Sequence, residues 1–236
     1  MIYKTFDAYV DNHYFVACQR GCALCCTQHV TLTTIEAYPI FERLKQVGGG
    51  FDSDCFRTAD MSSFRPQYTI NDLANACLNH QDPPEEEPGP VLQGCSLLEN
   101  GLCAVYDLRP FVCRAFLSLQ SCQLNGQAEV PSGLASVIGA CQQLIEHLDV
   151  GGHFGNLADI LALLNTGNNV AKYAQDKPVR NDEIPMNRSL PGFLVPPEDK
   201  REVNPFLSML FQKHVDGITF YQLMDQIRPM PIMTSP

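Results

Sequence analysis

The chain has 236 residues, 45% of them apolar, which is enough to bury a core, and length alone allows one large domain or one domain with an appended lobe. A net charge of -10 at pH 7 and a pI near 4.9 repel phosphate backbones and anionic lipid surfaces, so neither nucleic acid nor a membrane is an expected partner. Lys4, Asp7 and Asp11 interrupt the opening residues, and no later stretch approaches the ~18 apolar residues of a membrane span, so a soluble, cytoplasmic protein is expected.

The first informative run is CQRGCALCC, in which Cys18, Cys22, Cys25 and Cys26 fall within nine positions and the last two are adjacent. The chain holds eleven cysteines, an odd number that cannot pair completely into internal disulfides. In a reducing cytosol such clustering points to metal binding or redox chemistry. Thr33-Thr34-Ile35-Glu36 has the form of a capping box, in which Thr33 accepts from an end amide and Glu36 returns the bond. A helix is therefore expected from there through Ile40, Phe41 and Leu44 to the glycines at 48–50. A second is expected over Ile70–Leu78. The following QDPPEEEPGP, with four prolines and three glutamates, suits neither helix nor central strand and reads as a solvated loop.

Residues 95–122 read CSLLENGLCAVYDLRPFVCRAFLSLQSC. Asn100-Gly101 is a tight-turn pair, because both central positions of a type I′ turn need positive φ, and the resulting hairpin brings Cys95 and Cys103 together. Pro110 suits the first turn of a helix, Asp107 is available to cap it, and Cys113 then sits on its opening turns. After Ser132, residues Leu134, Val137, Ile138, Cys141, Leu144, Ile145 and Leu148 recur at helical spacing, with Cys141 read as a core residue of that stripe. Leu157, Ile160, Leu161 and Leu164 form another helical face ending near Gly167. The proline-rich stretch 176–204 is expected to be an irregular connector, followed by short helices near 206–214 and 219–227. The expected fold is mainly α. A small cysteine-rich metal-binding core with a short β-hairpin would occupy residues 1–125, and a helical lobe, packed on it as one unit or standing beside it, residues 126–236.

The two cysteine groups have the spacings C-x3-C-x2-C-C and C-x7-C-x9-C-x8-C. They supply eight candidate ligands: Cys18, Cys22, Cys25, Cys26, Cys95, Cys103, Cys113 and Cys122. Thiolates are soft ligands that suit zinc, copper(I) and iron–sulfur clusters. Adjacent side chains point to opposite sides of an extended segment and diverge by about 100° in a helix, so Cys25 and Cys26 seldom reach one ion together without strain. Sulfurs that serve different metals, bridge two metals or meet different corners of a cluster fit better, which favours a polynuclear or two-site arrangement. Cys122 lies furthest along and completes the second group. His29, three residues after Cys26, can replace a cysteine in a Cys3His zinc site. Cys55 and Cys77 stand outside both groups and read as buried or incidental thiols.

The combined pattern, CQRGCALCC followed by C…NGLCAVYDLRPFVCR, resembles the CxxCxxCC-type cysteine-cluster family of zinc- or iron-chelating domain proteins. The family form is a C-x2-C-x2-C-C motif, then a cysteine, then G-x-C-x-x-Y-x-x-R-P-x-x-C-R. Gly101, Cys103, Tyr106, Arg109, Pro110, Cys113 and Arg114 match the last segment residue by residue, whereas Cys18 stands one position further out than in the family form. The resemblance covers residues 18–122, less than half of the chain. It implies a metal-binding protein of a family without a general assigned reaction. Some members resemble iron–sulfur oxidoreductases in name, and a similar cluster is present in flagellin lysine methylases.

A four-thiolate zinc or oxidised [4Fe–4S] centre carries about two negative charges, so N–H donors to sulfur stabilise it and tune its potential. Arg114, next to Cys113, and Arg109, one helical turn earlier, are placed for that role, the alternative being surface arginines without metal contact. Tyr106 either packs over the site or donates through its hydroxyl. There is no P-loop, G-x-G-x-x-G, G-x-S-x-G or H-E-x-x-H, so a catalytic role would depend on the metal or on residues 123–236. The leading expectation is a metal-binding protein that holds an iron–sulfur cluster or zinc for structure or electron transfer. A metal-dependent protein-modifying enzyme of methylase type and a zinc or copper storage or delivery protein are the competing classes. The helical lobe is large enough to engage a protein partner.

Overall fold

The computed structural model describes residues 1–46, 64–83, 85, 86, 89, 91 and 94–230. The glycines at 48–50, Cys55 and part of the acidic proline-rich loop lie outside the described residues.

Helices dominate, as expected. Helix α1 (Ile2–His13) buries Ile2, Phe6, Tyr9 and Val10, a spacing that places all four on one face. The cysteine run 18–26 follows without regular structure and leads into strand β1 (Thr31–Thr33) and helix α2 (Thr34–Gln46). Helix α3 (Ile70–Leu78) begins as expected, at a complete capping box formed by Thr69 and Asp72. Strands β2 (Leu98–Glu99) and β3 (Leu102–Cys103) make the expected hairpin, with Leu98 opposite Cys103 and positive φ at Asn100 (51°) and Gly101 (77°).

A 3₁₀ turn at Tyr106–Leu108 precedes helix α4 (Phe111–Ala115), which carries Cys113, and helix α5 (Cys122–Asn125) opens on Cys122. Helix α6 (Ser132–Leu148) is the long central element. Strand β4 (Phe154–Asn156) pairs antiparallel with β1, and it leads into α7 (Leu157–Asn165) and α8 (Asn169–Tyr173). Helix α9 (Lys200–Phe211), a hairpin of β5 (His214–Val215) and β6 (Ile218–Thr219), and α10 (Phe220–Ile227) complete the described chain.

Two apolar cores hold these elements. The larger joins α1, α4, α6, α9 and α10 around Phe6, Phe111, Leu144, Phe206 and Leu210. The other joins β1, α2 and α7 with the hairpin region around Val30, Ile40, Phe41, Leu97, Val105 and Ile160. Each fully buried side chain of this kind contributes about 1.5–3 kcal/mol. Residues from both halves of the sequence enter both cores, so the cysteine segments are fixed between elements distant in sequence. Cys141 is fully buried in the α6 stripe, as its apolar spacing predicted.

Three local expectations need correction. Thr33 belongs to β1, and its hydroxyl donates to Glu36 Oε2 (3.0 Å) instead of accepting an end amide, although Glu36 Oε2 does take the Thr33 N–H (3.0 Å). Asp107 does not cap the Cys113 helix; the Phe111 N–H donates to Glu36 Oε1 at 2.7 Å. Helix α9 starts at Lys200, six residues before the expected start, with Pro205 inside it. An interior proline costs about 3 kcal/mol. Asp199 accepts from Ser132 (3.0 Å) and Ser136 (2.6 Å) of α6, and Glu202 accepts from Tyr9 of α1 (2.9 Å). With Val203 buried as well, these contacts offset that cost.

Candidate metal centre

The backbone draws the two cysteine groups together. Cys26 C=O accepts from Cys95 N–H at 2.9 Å and Thr27 forms an isolated bridge with Gly94, so the end of the first group is bonded to the start of the second. Leu98 N–H donates to Cys95 C=O (3.0 Å) and Ala104 N–H to Leu97 C=O (2.9 Å), which folds Cys95 and Cys103 onto the same hairpin. At the other end, Ala17 N–H donates to Ser118 C=O (2.8 Å). Cys18 is thereby tied to the loop that leads to Cys122.

These segments enclose a cavity of about 350 Å³. Seven of the eight candidate cysteines line it: Cys18, Cys22, Cys25, Cys26, Cys95, Cys103 and Cys113. Cys122 is not in the wall, but its charge acts on Cys18. Cys22 and Cys25 are exposed and the other six half-buried. All ten cysteines among the described residues are free thiols. Two that were read as lying outside the groups stay outside the cavity: Cys77, half-buried on α3, and the core residue Cys141. His29 is absent from the wall as well; its ring lies edge-on to Phe64 and within 3.2 Å of Gln28 Nε2.

The thiols perturb one another. Burial raises the Cys113 thiol far above its ordinary value, and the charges of Cys95, Cys26, Cys103 and Cys25 add to the shift. Although Cys25 as a residue is exposed, partial desolvation of its thiol, then Cys26 and Cys22, push it up to about 11. Cys26 is raised by burial and then by Cys95 and Cys103, and Cys95 by burial and then by Cys103 despite an N–H bond from Leu97. Cys18 is raised by burial, with smaller contributions from Cys22 and Cys122. Thiols in this state are neutral near pH 7, and a cation placed among them would favour the thiolates. As the side chains stand, among the described residues no group of three or more Cys, His, Asp or Glu forms a ready-made metal site.

The basic residues stand against the same cavity. Arg114 Nη1 pairs with Asp7 at 2.8 Å and Nη2 donates to the Asp107 carbonyl at 3.2 Å, which leaves its buried Nε without a partner. Arg109 lies 4.2 Å over the Tyr106 ring, Arg20 lies 5.0 Å over it, and the buried Arg109 Nε is also unpartnered. Tyr106 thus serves by packing beneath cations. Sequence reasoning missed three participants. Arg20 sits inside the cysteine run itself, and Glu36 was legible only as a capping residue. Asp7 lies on α1, for which no helix was predicted. Glu36 Oε1 accepts from Tyr3 as well as from Phe111, so one carboxylate ties α1, β1 and the Cys113 helix together. Tyr3's hydroxyl is pushed above its ordinary value by burial and by Glu36.

The donor set and the two orphaned N–H groups fit a thiolate-bound metal. Soft sulfur donors converge from separated segments, and each orphaned Nε is a donor that a thiolate sulfur can satisfy. No protein-family model, curated protein or solved structure matches the chain. Among the described residues no helix is long and apolar enough to cross a membrane.

Proposed function

We propose that the chain is a metal-binding protein that uses its clustered cysteine thiolates to hold an iron–sulfur cluster or zinc, for structure or for electron transfer. One observation carries this reading: both cysteine groups converge on one cavity, with seven of the eight in its wall. The residues that would hold the metal are Cys18, Cys22, Cys25, Cys26, Cys95, Cys103, Cys113 and Cys122. Zinc would supply a redox-inert cross-link between these segments, and a cluster would supply one-electron transfer. The sequence resemblance of residues 18–122 to cysteine-cluster proteins points the same way.

The chain's own residues have distinct parts in this reading. Arg109 and Arg114, whose buried Nε–H groups have no partner, supply donors and positive charge that would offset the negative charge of a thiolate site. Tyr106 orients Arg109 by stacking, and Asp7 holds Arg114. Glu36 fixes the start of the helix that presents Cys113. The cavity wall also includes Asp7 and Asp11 of α1, beyond the thiols.

Spectroscopy of protein purified without oxygen separates the metals. A brown preparation with broad visible absorption and acid-labile sulfide identifies an iron–sulfur centre, and a colourless one with stoichiometric zinc identifies a zinc site. Protein without either metal would overturn the proposal.

A further inference from the structure

Eight thiols are more than one four-coordinate ion can use, and the structure sorts them by what they are attached to. Cys26 is bonded through its carbonyl to Cys95, Cys95 and Cys103 are folded together by the β2–β3 hairpin, and Cys95, Cys103 and Cys113 all pack against the core built around Val30, Leu97 and Val105. Cys18 packs instead against the core of α1 and α6. Its neighbour Ala17 donates through N–H to the Ser118 carbonyl at 2.8 Å. The same loop is braced where Ser118 Oγ accepts from Glu129 N–H at 2.8 Å, and it delivers Cys122 at the start of α5. Between Cys18 and Cys26 lie Cys22 and Cys25, the two candidates exposed to solvent.

We infer that the eight thiols form two abutting four-thiolate sites: an inner one of Cys26, Cys95, Cys103 and Cys113, and an outer one of Cys18, Cys22, Cys25 and Cys122, which meet at the Cys25–Cys26 peptide. This rests on the reading that the thiols hold metal. The adjacent pair then supplies one sulfur to each site, and the peptide that joins Cys25 to Cys26 makes the sites neighbours. The inner site is knitted into the hairpin and the α4 helix and is structural. The outer site, half of whose ligands are exposed, exchanges its metal with solvent.

Zinc reconstitution of the full chain, followed by transfer to a chromophoric chelator, tests this. The parent protein is expected to bind two equivalents of zinc and to release them in a fast and a slow phase of equal amplitude. Cys22→Ser and Cys122→Ser should each retain one equivalent, lose the fast phase and keep the parent's helical circular dichroism. Cys103→Ser should lose the slow phase or fail to fold, and the two outer variants decide the matter in either case. Release of a single equivalent in one phase, or loss of all zinc from either outer variant, would establish one shared centre. That result would overturn the division and leave metal binding standing, whereas a parent protein that binds no zinc and carries no iron would overturn both.

Discussion

At the scale of single residues, Glu36 and the cysteines have different work. Glu36 is a positioning residue: its two oxygens accept from Tyr3, Thr33 and Phe111, which belong to three separate elements. A glutamine there replaces one accepting oxygen with a donor and sets it against an N–H or O–H group. Glu36→Gln should lower unfolding free energy by about 1–3 kcal/mol in a urea titration. Cys25 and Cys113 are cavity-lining thiols from the two groups. Cys25→Ser and Cys113→Ser should each reduce metal content and soluble yield, since metal-binding energy is then part of folding energy. Unchanged metal in both variants would remove these residues from the site. The candidate ligands were legible because cysteine chemistry is written in residue type and spacing. Asp7 was not, because its role depends on a helix whose placement is decided by tertiary packing.

At the scale of elements, the C-terminal end of α6 ties several elements together. Asp149, just past that end, accepts from Ile35 N–H (3.0 Å), Tyr173 Oη (2.6 Å) and Asn187 Nδ2 (2.7 Å). It therefore joins α2, α8 and the 176–196 connector. A Cβ on Gly152 would lie 2.5 Å from both Asp149 carboxylate oxygens. With three donors holding that carboxylate it cannot move aside cheaply, so Gly152→Ala should destabilise by about 1–3 kcal/mol, measured by thermal or urea unfolding. Burial raises both Asp149 and Glu146 to about 7. A carboxyl whose folded value is raised binds protons more tightly when folded, so its stabilising contribution is complete below its ordinary value and is lost as pH rises to about 7. The Glu146 share should appear as a fall in unfolding free energy between about pH 4.5 and pH 7 that flattens in Glu146→Gln. Helix α9 shows why element boundaries were harder to read than element types. The proline-rich composition of 176–204 argued for an irregular connector, and the Asp199 and Glu202 contacts with distant helices overrode it at its end. The Asn100-Gly101 pair gave its turn as read, whereas the capping box read at Thr33 gave way to the pairing of β1 with β4.

At the scale of the whole molecule, the mainly α character follows from apolar periodicity, and the cavity follows from how the helices are arranged. The second cysteine group is nearly seventy residues beyond the first, and no local rule states that Cys26 will be bonded to Cys95. That contact exists because α2 and α7 bury one face against Val30 and Leu97 while α1 and α6 bury another against Phe111. The two cores clamp the cysteine segments between them. Metal should therefore stabilise the entire fold, and its removal should lower the cooperativity of unfolding as well as its midpoint.

The most direct test of the central claim is metal and sulfide analysis of protein purified without oxygen, combined with alkylation of its thiols. At least one zinc ion or iron–sulfur cluster per chain is predicted, with the eight candidate cysteines protected until the metal is removed. Less than one metal per chain, with those cysteines freely alkylated in the folded protein, would contradict it.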